Sequence, residues 1–112
     1  MNLSTLLGDW RNTNAAGSIM RILCTANGDG MNVQTWTPSR DWGTVEAPLF
    51  AFTFDSSDAG AFAANYDFGF ARVRLQANVK AGVLVVVALT SFHDDSGRSN
   101  HFDREFFYRV GS

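Results

Sequence analysis

Eight short segments rich in β-branched and aromatic residues follow one another along this chain, with turn-forming residues between them. Asn27-Gly28 and Asp29-Gly30 are typical of tight hairpins. Because the segments are evenly spaced and no helical pattern intervenes, the sequence predicts one all-β domain over residues 1–112. The expected architecture is a single up-and-down antiparallel barrel of about eight strands. The predicted strands cover residues 10–13, 18–25, 31–36, 45–54, 61–66, 68–79, 83–93 and 101–110.

The tripeptide Gly8-Asp9-Trp10 stands at the entry to the first predicted strand. Glycine permits a tight turn there, and tryptophan supplies a large ring that fills one end of a barrel. In this position Gly-x-Trp resembles the start of lipocalin- and avidin-like barrels, the calycin type. The resemblance implies that an arginine of the last strand, Arg109 or Arg104, stacks on Trp10. A short helical turn over residues 3–7 is predicted to close the same end.

Two further motifs, Asp41-Trp42-Gly43 and Ser96-Gly97-Arg98, are similar to those of a family of small, largely uncharacterised bacterial barrel domains. That family carries two cysteines before its Asp-Trp-Gly, and this chain has none there. The resemblance implies a barrel and brings no activity with it. We expect an Asx-type turn at the first motif, with Trp42 over the barrel rim. The second motif is expected to be a solvated hairpin tip, with an anion clamp by Arg98 as the alternative.

Composition excludes several classes of partner. The chain has 46% apolar and 18% charged residues and a formal charge of −2, so it has no basic footprint for nucleic acid. Because no polybasic run or lipidation signal occurs, no membrane partner is predicted. Cys24 is the only cysteine and is expected to be a buried, inert thiol. The N-terminal residues lack the pattern of a signal peptide, and a cytoplasmic location is therefore expected.

The ten phenylalanines exceed what one barrel interior requires, because several predicted strands are apolar on both faces. An apolar outer wall favours self-association, and a symmetric homodimer is the simplest form.

The leading functional prediction is a non-enzymatic binding protein that holds a small apolar or amphipathic ligand in the barrel cavity, without a cofactor. The predicted ligand-binding residues are Trp10, Trp36, Trp42, Phe52, Tyr66, Phe70, Arg72 and Tyr108.

Two alternatives remain open at this point. A cofactor-independent cyclase or isomerase would fold an apolar substrate inside the barrel and use one buried acid or base. Its candidate groups are Asp41, Glu46, Asp67, Arg72, Tyr66 and Tyr108. A filled barrel would act through self-association or through a partner instead. A metal site is not predicted, because no further ligand clearly joins the residues of one turn, His93, Asp94, Asp95 and His101.

Overall fold

The computed structural model describes residues 1–111, and Ser112, the last residue of the predicted domain, lies outside the described residues. Within this range the chain forms nine antiparallel strands and no helix. In the sheet they follow the order β4-β3-β2-β1-β9-β8-β7-β6-β5, which makes a nearly closed up-and-down barrel. The predicted all-β fold is confirmed. The strands are β1 (Gly8–Asn12), β2 (Arg21–Asn27), β3 (Gly30–Trp36), β4 (Asp41–Ala47), β5 (Leu49–Ala51), β6 (Ala59–Asp67), β7 (Ala71–Lys80), β8 (Val83–Phe92) and β9 (His101–Gly111).

Pro48 divides one predicted strand into β4 and β5. Proline has no N–H to donate to a ladder, so the pairing of this segment changes partner there. β4 pairs with β3 on one side of the gap, and β5 pairs with β6 on the other. The Pro48 carbonyl oxygen accepts a hydrogen bond of 3.1 Å from the Ala63 N–H. The bent β4–β5 segment therefore brings the two edges of the sheet together.

Tyr66 on β6 ties the same two edges with its side chain. Its hydroxyl lies 3.0 Å from the hydroxyl oxygen of Thr35, which is fully buried. The Tyr66 hydroxyl also lies 3.2 Å from the Val33 carbonyl oxygen and 3.0 Å from that of Gly43. A buried hydroxyl requires such partners, because an unsatisfied polar group in the interior is costly.

Large apolar side chains fill most of the barrel interior. They alternate with outward residues along each strand, as expected for a pleated sheet with one buried face. This part of the barrel is an apolar core. Its largest fully buried members are Trp10, Phe62, Phe107, Leu6, Ile19, Ile22, Met31, Leu75 and Leu84.

Trp10 plugs one end of the barrel. The guanidinium carbon of Arg109 lies 4.5 Å from the centroid of its ring, and this confirms the predicted arginine stack. Trp10 Nε1 donates a 2.9 Å hydrogen bond to the Leu6 carbonyl oxygen. The short helical turn predicted at residues 3–7 is not seen as a helix: the segment forms a hydrogen-bonded turn in which the Leu6 and Leu7 N–H groups donate to the Leu3 carbonyl oxygen. A single helical turn is unstable alone, because it fixes the backbone angles of several residues for only one or two hydrogen bonds.

Two of the predicted strands extend further along the chain than the strands that the structure shows. The strand predicted at 68–79 begins only at Ala71, because Gly69 has a φ of 84° and forms the β6–β7 turn. The strand predicted at 45–54 ends at Ala51. The residues after it form a loop that carries the exposed side chains of Phe52 and Phe54. Alternation of apolar residues alone did not reveal these turns.

The register of β9 decides which of its side chains face the barrel interior. Phe107 is fully buried, whereas Phe106 and Tyr108 are about half exposed. Phe102 likewise lies on the outer side and is 63% exposed. The surplus aromatic residues of this strand therefore cover the outer wall of the barrel.

Candidate functional site

The barrel opens into a cavity at the end opposite Trp10, which we call the mouth. Its volume is about 240 Å³. Small and aliphatic side chains form its floor, and aromatic side chains form its walls. An apolar cavity of about 150 Å³ is enough to hold benzene, so the mouth has room for one ring with a substituent. The lining consists of Ser18, Ile19, Thr37, Arg40, Trp42, Phe68, Phe70, Ala71, Val73, Ala88, Thr90, Phe92, His101 and Asp103.

Trp42 is fixed at the mouth by the turn before it and by aromatic contacts. The Asp41 carboxylate accepts a 2.8 Å hydrogen bond from the Gly43 N–H, so the predicted Asx-type turn is confirmed. The Trp42 ring lies 5.4 Å from Tyr66 and 5.3 Å from Phe68 between centroids, in tilted and edge-on arrangements. These are favourable geometries for aromatic pairs. These contacts hold the Trp42 ring against Tyr66 and Phe68 in the wall of the mouth.

The β6–β7 turn places two phenylalanines beside the same opening. The Asp67 carboxylate accepts a 2.9 Å hydrogen bond from the Gly69 N–H, and this contact holds the pKa of Asp67 below its ordinary value. Phe68 and Phe70 stand on either side of Gly69, with ring centroids 6.5 Å apart. The turn extends the aromatic wall from Trp42 toward β8.

Arg98 covers the far side of this wall. Its guanidinium carbon lies 4.3 Å from the ring centroid of Phe92 and 5.5 Å from that of Phe70. Nη2 of Arg98 donates a 2.9 Å hydrogen bond to Asp94. Hydrogen bonds from Ser96 and, less strongly, Arg98 hold the pKa of Asp94 below its ordinary value. Asp94 and Ser96 already contact Nη2 and Nε of Arg98, so an anion at this turn would compete with these contacts.

Charged and titratable side chains reach the mouth from the segment before β4, which carries Arg40, and from β9, which carries His101 and Asp103. Within the described residues, Arg40 makes no ion pair and no side-chain hydrogen bond. On the facing strand β9, Asp103 Oδ2 lies 3.9 Å from His101 Nε2. Arg40 can therefore pair with an anionic group of a ligand without losing a partner in the protein.

Glu105 holds the loop that forms the remaining side of the mouth. One of its carboxylate oxygens accepts hydrogen bonds from the Ser18 hydroxyl at 2.7 Å and from the Ile19 N–H at 3.3 Å. The other accepts from Asn12 Nδ2 at 2.5 Å. A side chain at Gly17 would displace the ends of the Glu105 and Asn12 side chains from this cluster. We call these contacts of Glu105 with Asn12, Ser18 and Ile19 the Glu105 cluster. The sequence did not predict it, because Glu105 is far from the other three residues along the chain.

Only part of the predicted ligand-binding set lies at the mouth. Trp42 and Phe70 line it, and Tyr66 supports Trp42 from behind. Trp10 lies at the closed end of the barrel. Binding by any of them stays a prediction. The other predicted residues lie on the outer side of the barrel or in its loops: Trp36, Phe52, Arg72 and Tyr108.

Trp36 is kept on the outer wall by a charged cluster. The guanidinium carbon of Arg21 lies 4.3 Å from the Trp36 ring centroid, and Nε of Arg21 lies 2.9 Å from Asp9. Burial raises the pKa of Asp9, but hydrogen bonds from Arg21 and Arg11 outweigh it and leave the pKa below its ordinary value. Arg40 and Asp103, which the sequence did not single out for binding, line the mouth.

None of the acid–base groups proposed for a cyclase or isomerase lines the mouth. Asp41, Glu46 and Tyr108 are exposed outside it, and Asp67 pairs with Arg72 at 3.3 Å. Burial raises the pKa of Tyr66, whose hydroxyl is occupied by contacts across the closure. Within residues 1–111, no group of three or more His, Cys, Asp or Glu side chains is placed to hold a metal ion.

Comparison with known proteins adds no family: no family model and no curated protein sequence matches the chain. The part of the chain that the structure describes contains no helix of the length and apolar character needed to cross a membrane.

Proposed function

We propose that this protein is a binding module that holds a small aromatic or amphipathic molecule at the mouth of its barrel, with an anionic end against Arg40. The observation that carries the proposal is the contrast within one barrel. Large buried side chains occupy the interior around Trp10, whereas the mouth holds a cavity of about 240 Å³ with aromatic side chains in its lining. Sites for small molecules are typically concave and apolar, with a few polar groups that fix orientation.

The volume indicates the size of the ligand. Drug-sized ligands occupy pockets of about 300–1,000 Å³, so the mouth suits a smaller molecule such as one substituted ring. Burial of about 200 Å² of the ligand's apolar surface would contribute about 5 kcal/mol to the free energy of binding, before the cost of association is subtracted. Charge-assisted hydrogen bonds to Arg40 add about 1.5–3 kcal/mol and association costs at least about 4 kcal/mol, so we expect a dissociation constant of about 1–10 mM for a minimal ring with a carboxylate.

Binding has more support than the cyclase or isomerase alternative, since none of the acid–base candidates named from the sequence lines the mouth. The stack of Arg109 on Trp10 also supports membership of the calycin type, whose members commonly enclose small ligands. A cytoplasmic location stays a proposal.

Calorimetric titration with phenylacetate and with phenethylamine tests this function. Both carry one ring of similar size, and they differ in the sign of their charge. We expect phenylacetate to bind more tightly, and Arg40→Gln to remove that preference because it removes the unpaired guanidinium. Arg104→Gln, the same charge change on the outer wall, is the control and leaves binding unchanged. No heat of binding for either compound, with wild-type protein at millimolar ligand, would count against the proposal.

A further inference from the structure

The loop between β5 and β6 combines exposed aromatic rings with carboxylates. Phe50 and Phe52 are about half exposed, and Phe54 is fully exposed. Asp55, next to Phe54, makes no ion pair among the described residues. Three exposed phenylalanines at alternate positions form an apolar projection of the kind that marks an interaction site. We call residues 52–58 the Phe54 loop.

A complementary depression lies on the outer wall of the barrel. Two hollows, of about 690 and 300 Å³, meet at Arg74, and together we call them the outer groove. Leu89 lines the larger hollow and Val87 the smaller one, which the short side chains of Ala61 and Ala63 keep open. Each hollow is larger than the cavity of about 150 Å³ that holds benzene, so each has room for a phenylalanine ring.

The outer wall around this groove is cationic. Along strands β7–β9 the outward positions carry four basic residues and no carboxylate, although the whole chain has a net charge of −2. Arg72 is partly neutralised by Asp67 of β6. Arg104, the cross-strand neighbour of Val87, forms no ion pair within the described chain. The basic residues are Arg72, Arg74, Lys80 and Arg104.

We propose that the Phe54 loop of one copy docks into the outer groove of a second copy, with Phe54 in the groove and Asp55 against Arg74 or Arg104. Charge complementarity carries this choice: an acidic loop meets a basic groove, and opposite charges across an interface favour the correct register. The loop and the groove belong to the same wall, because Phe50 lines the groove and the loop begins two residues after it. A two-fold axis near Phe50 pairs them reciprocally and gives a closed dimer.

A second copy fits better than an anionic lipid surface. Lipid headgroups would suit the basic groove, but they would repel the carboxylates of Asp55 and Asp58 beside the exposed Phe54. A partner surface that is both basic and apolar can pair with the carboxylates of the loop and also bury the Phe54 ring. The outer groove of a second copy is such a surface.

Sedimentation velocity over a broad concentration range tests the proposal. Wild-type protein is expected to form dimers, more weakly at high than at low salt because surface ion pairs are screened. Phe54→Ser and Asp55→Arg should each weaken the dimer by about tenfold or more, given the apolar area and the charge that they change. The double variant Asp55→Arg/Arg74→Asp restores the opposite charges and should recover much of the affinity.

Two control variants distinguish specific docking from nonspecific association. Phe106→Ser removes an exposed ring of the same wall outside the groove, and Asp29→Arg reverses a charge at a distant hairpin. Both should leave the dimer unchanged, and circular dichroism confirms that every variant is folded. A monomer at all concentrations, open-ended chains, or an equal loss in Phe106→Ser overturns the proposal. So does binding of a monomeric protein to phosphatidylserine vesicles without any self-association.

Discussion

Arg109 lies over Trp10, with its guanidinium carbon 4.5 Å from the ring centroid, and joins the last strand to the first at the closed end of the barrel. The same guanidinium donates hydrogen bonds to the carbonyl oxygens of Ser4 and Thr5. One cation thus holds the N-terminal turn, the plug residue and the final strand together. These contacts give Arg109 a structural role at this end of the molecule.

Replacement of Arg109 by methionine should lower the free energy of unfolding by about 1–2 kcal/mol, because the cation–π contact and the hydrogen bonds to the turn are lost. Arg104→Met changes the same residue type on the same strand, but its side chain faces outward. We expect that variant to differ from wild type by less than about 0.5 kcal/mol in dilute protein. Urea denaturation measures both, and equal losses would contradict the role of the Trp10 stack.

Tyr66→Phe should cost about 1–3 kcal/mol of the free energy of unfolding. The substitution keeps the ring against Trp42 but leaves the buried Thr35 hydroxyl without the oxygen 3.0 Å away. Thermal and urea denaturation give the value. A stability equal to that of wild type would mean that these contacts do not hold the closure between β4 and β6.

The sequence predicted the features that depend on alternation and on short motifs. The β-segments, the Trp10 plug and the Asx turn at Asp41 follow from residues close together in the chain. The mouth was missed in part because the register of a strand decides which face is buried, and a shift of one residue exchanges the faces. For this reason Tyr108 was placed in the binding set although Phe107 occupies the interior.

Cys24 should make the protein less stable at alkaline pH. Burial raises the pKa of its thiol from 9.0 to about 12. Below pH 9 the thiol is neutral in both states, and between pH 9 and 12 it ionises in the unfolded chain first. The free energy of unfolding therefore falls as pH rises through this window, by up to about 1.4 kcal/mol per pH unit.

Urea denaturation at several alkaline pH values measures this slope, with Cys24→Ala as the comparison. The variant is expected to be less stable at neutral pH but to lose less on going to high pH. Identical slopes for the two proteins would contradict a buried thiol. Slow labelling of native Cys24 by a thiol reagent, with fast labelling after denaturation, checks its burial independently.

Glu105→Ala should loosen the loop beside the mouth and weaken phenylacetate binding together. The carboxylate holds Ser18 and Ile19, and both residues line the mouth. Hydrogen exchange is expected to become faster in the β1–β2 loop, and the affinity to fall several-fold. Glu46→Ala removes an exposed carboxylate of β4 as a control. Faster hydrogen exchange with unchanged affinity for phenylacetate would show that the contacts of Glu105 do not affect binding at the mouth.

The most direct test of the central claim is the position of bound phenylacetate, mapped by amide chemical-shift changes in an NMR titration. The account predicts that the largest changes cluster at the mouth, at Trp42, Phe68 and Ala88, and that they shrink in Arg40→Gln. Changes centred on the outer groove, around Arg74 and Phe102, would contradict it. So would a spectrum that phenylacetate leaves unchanged.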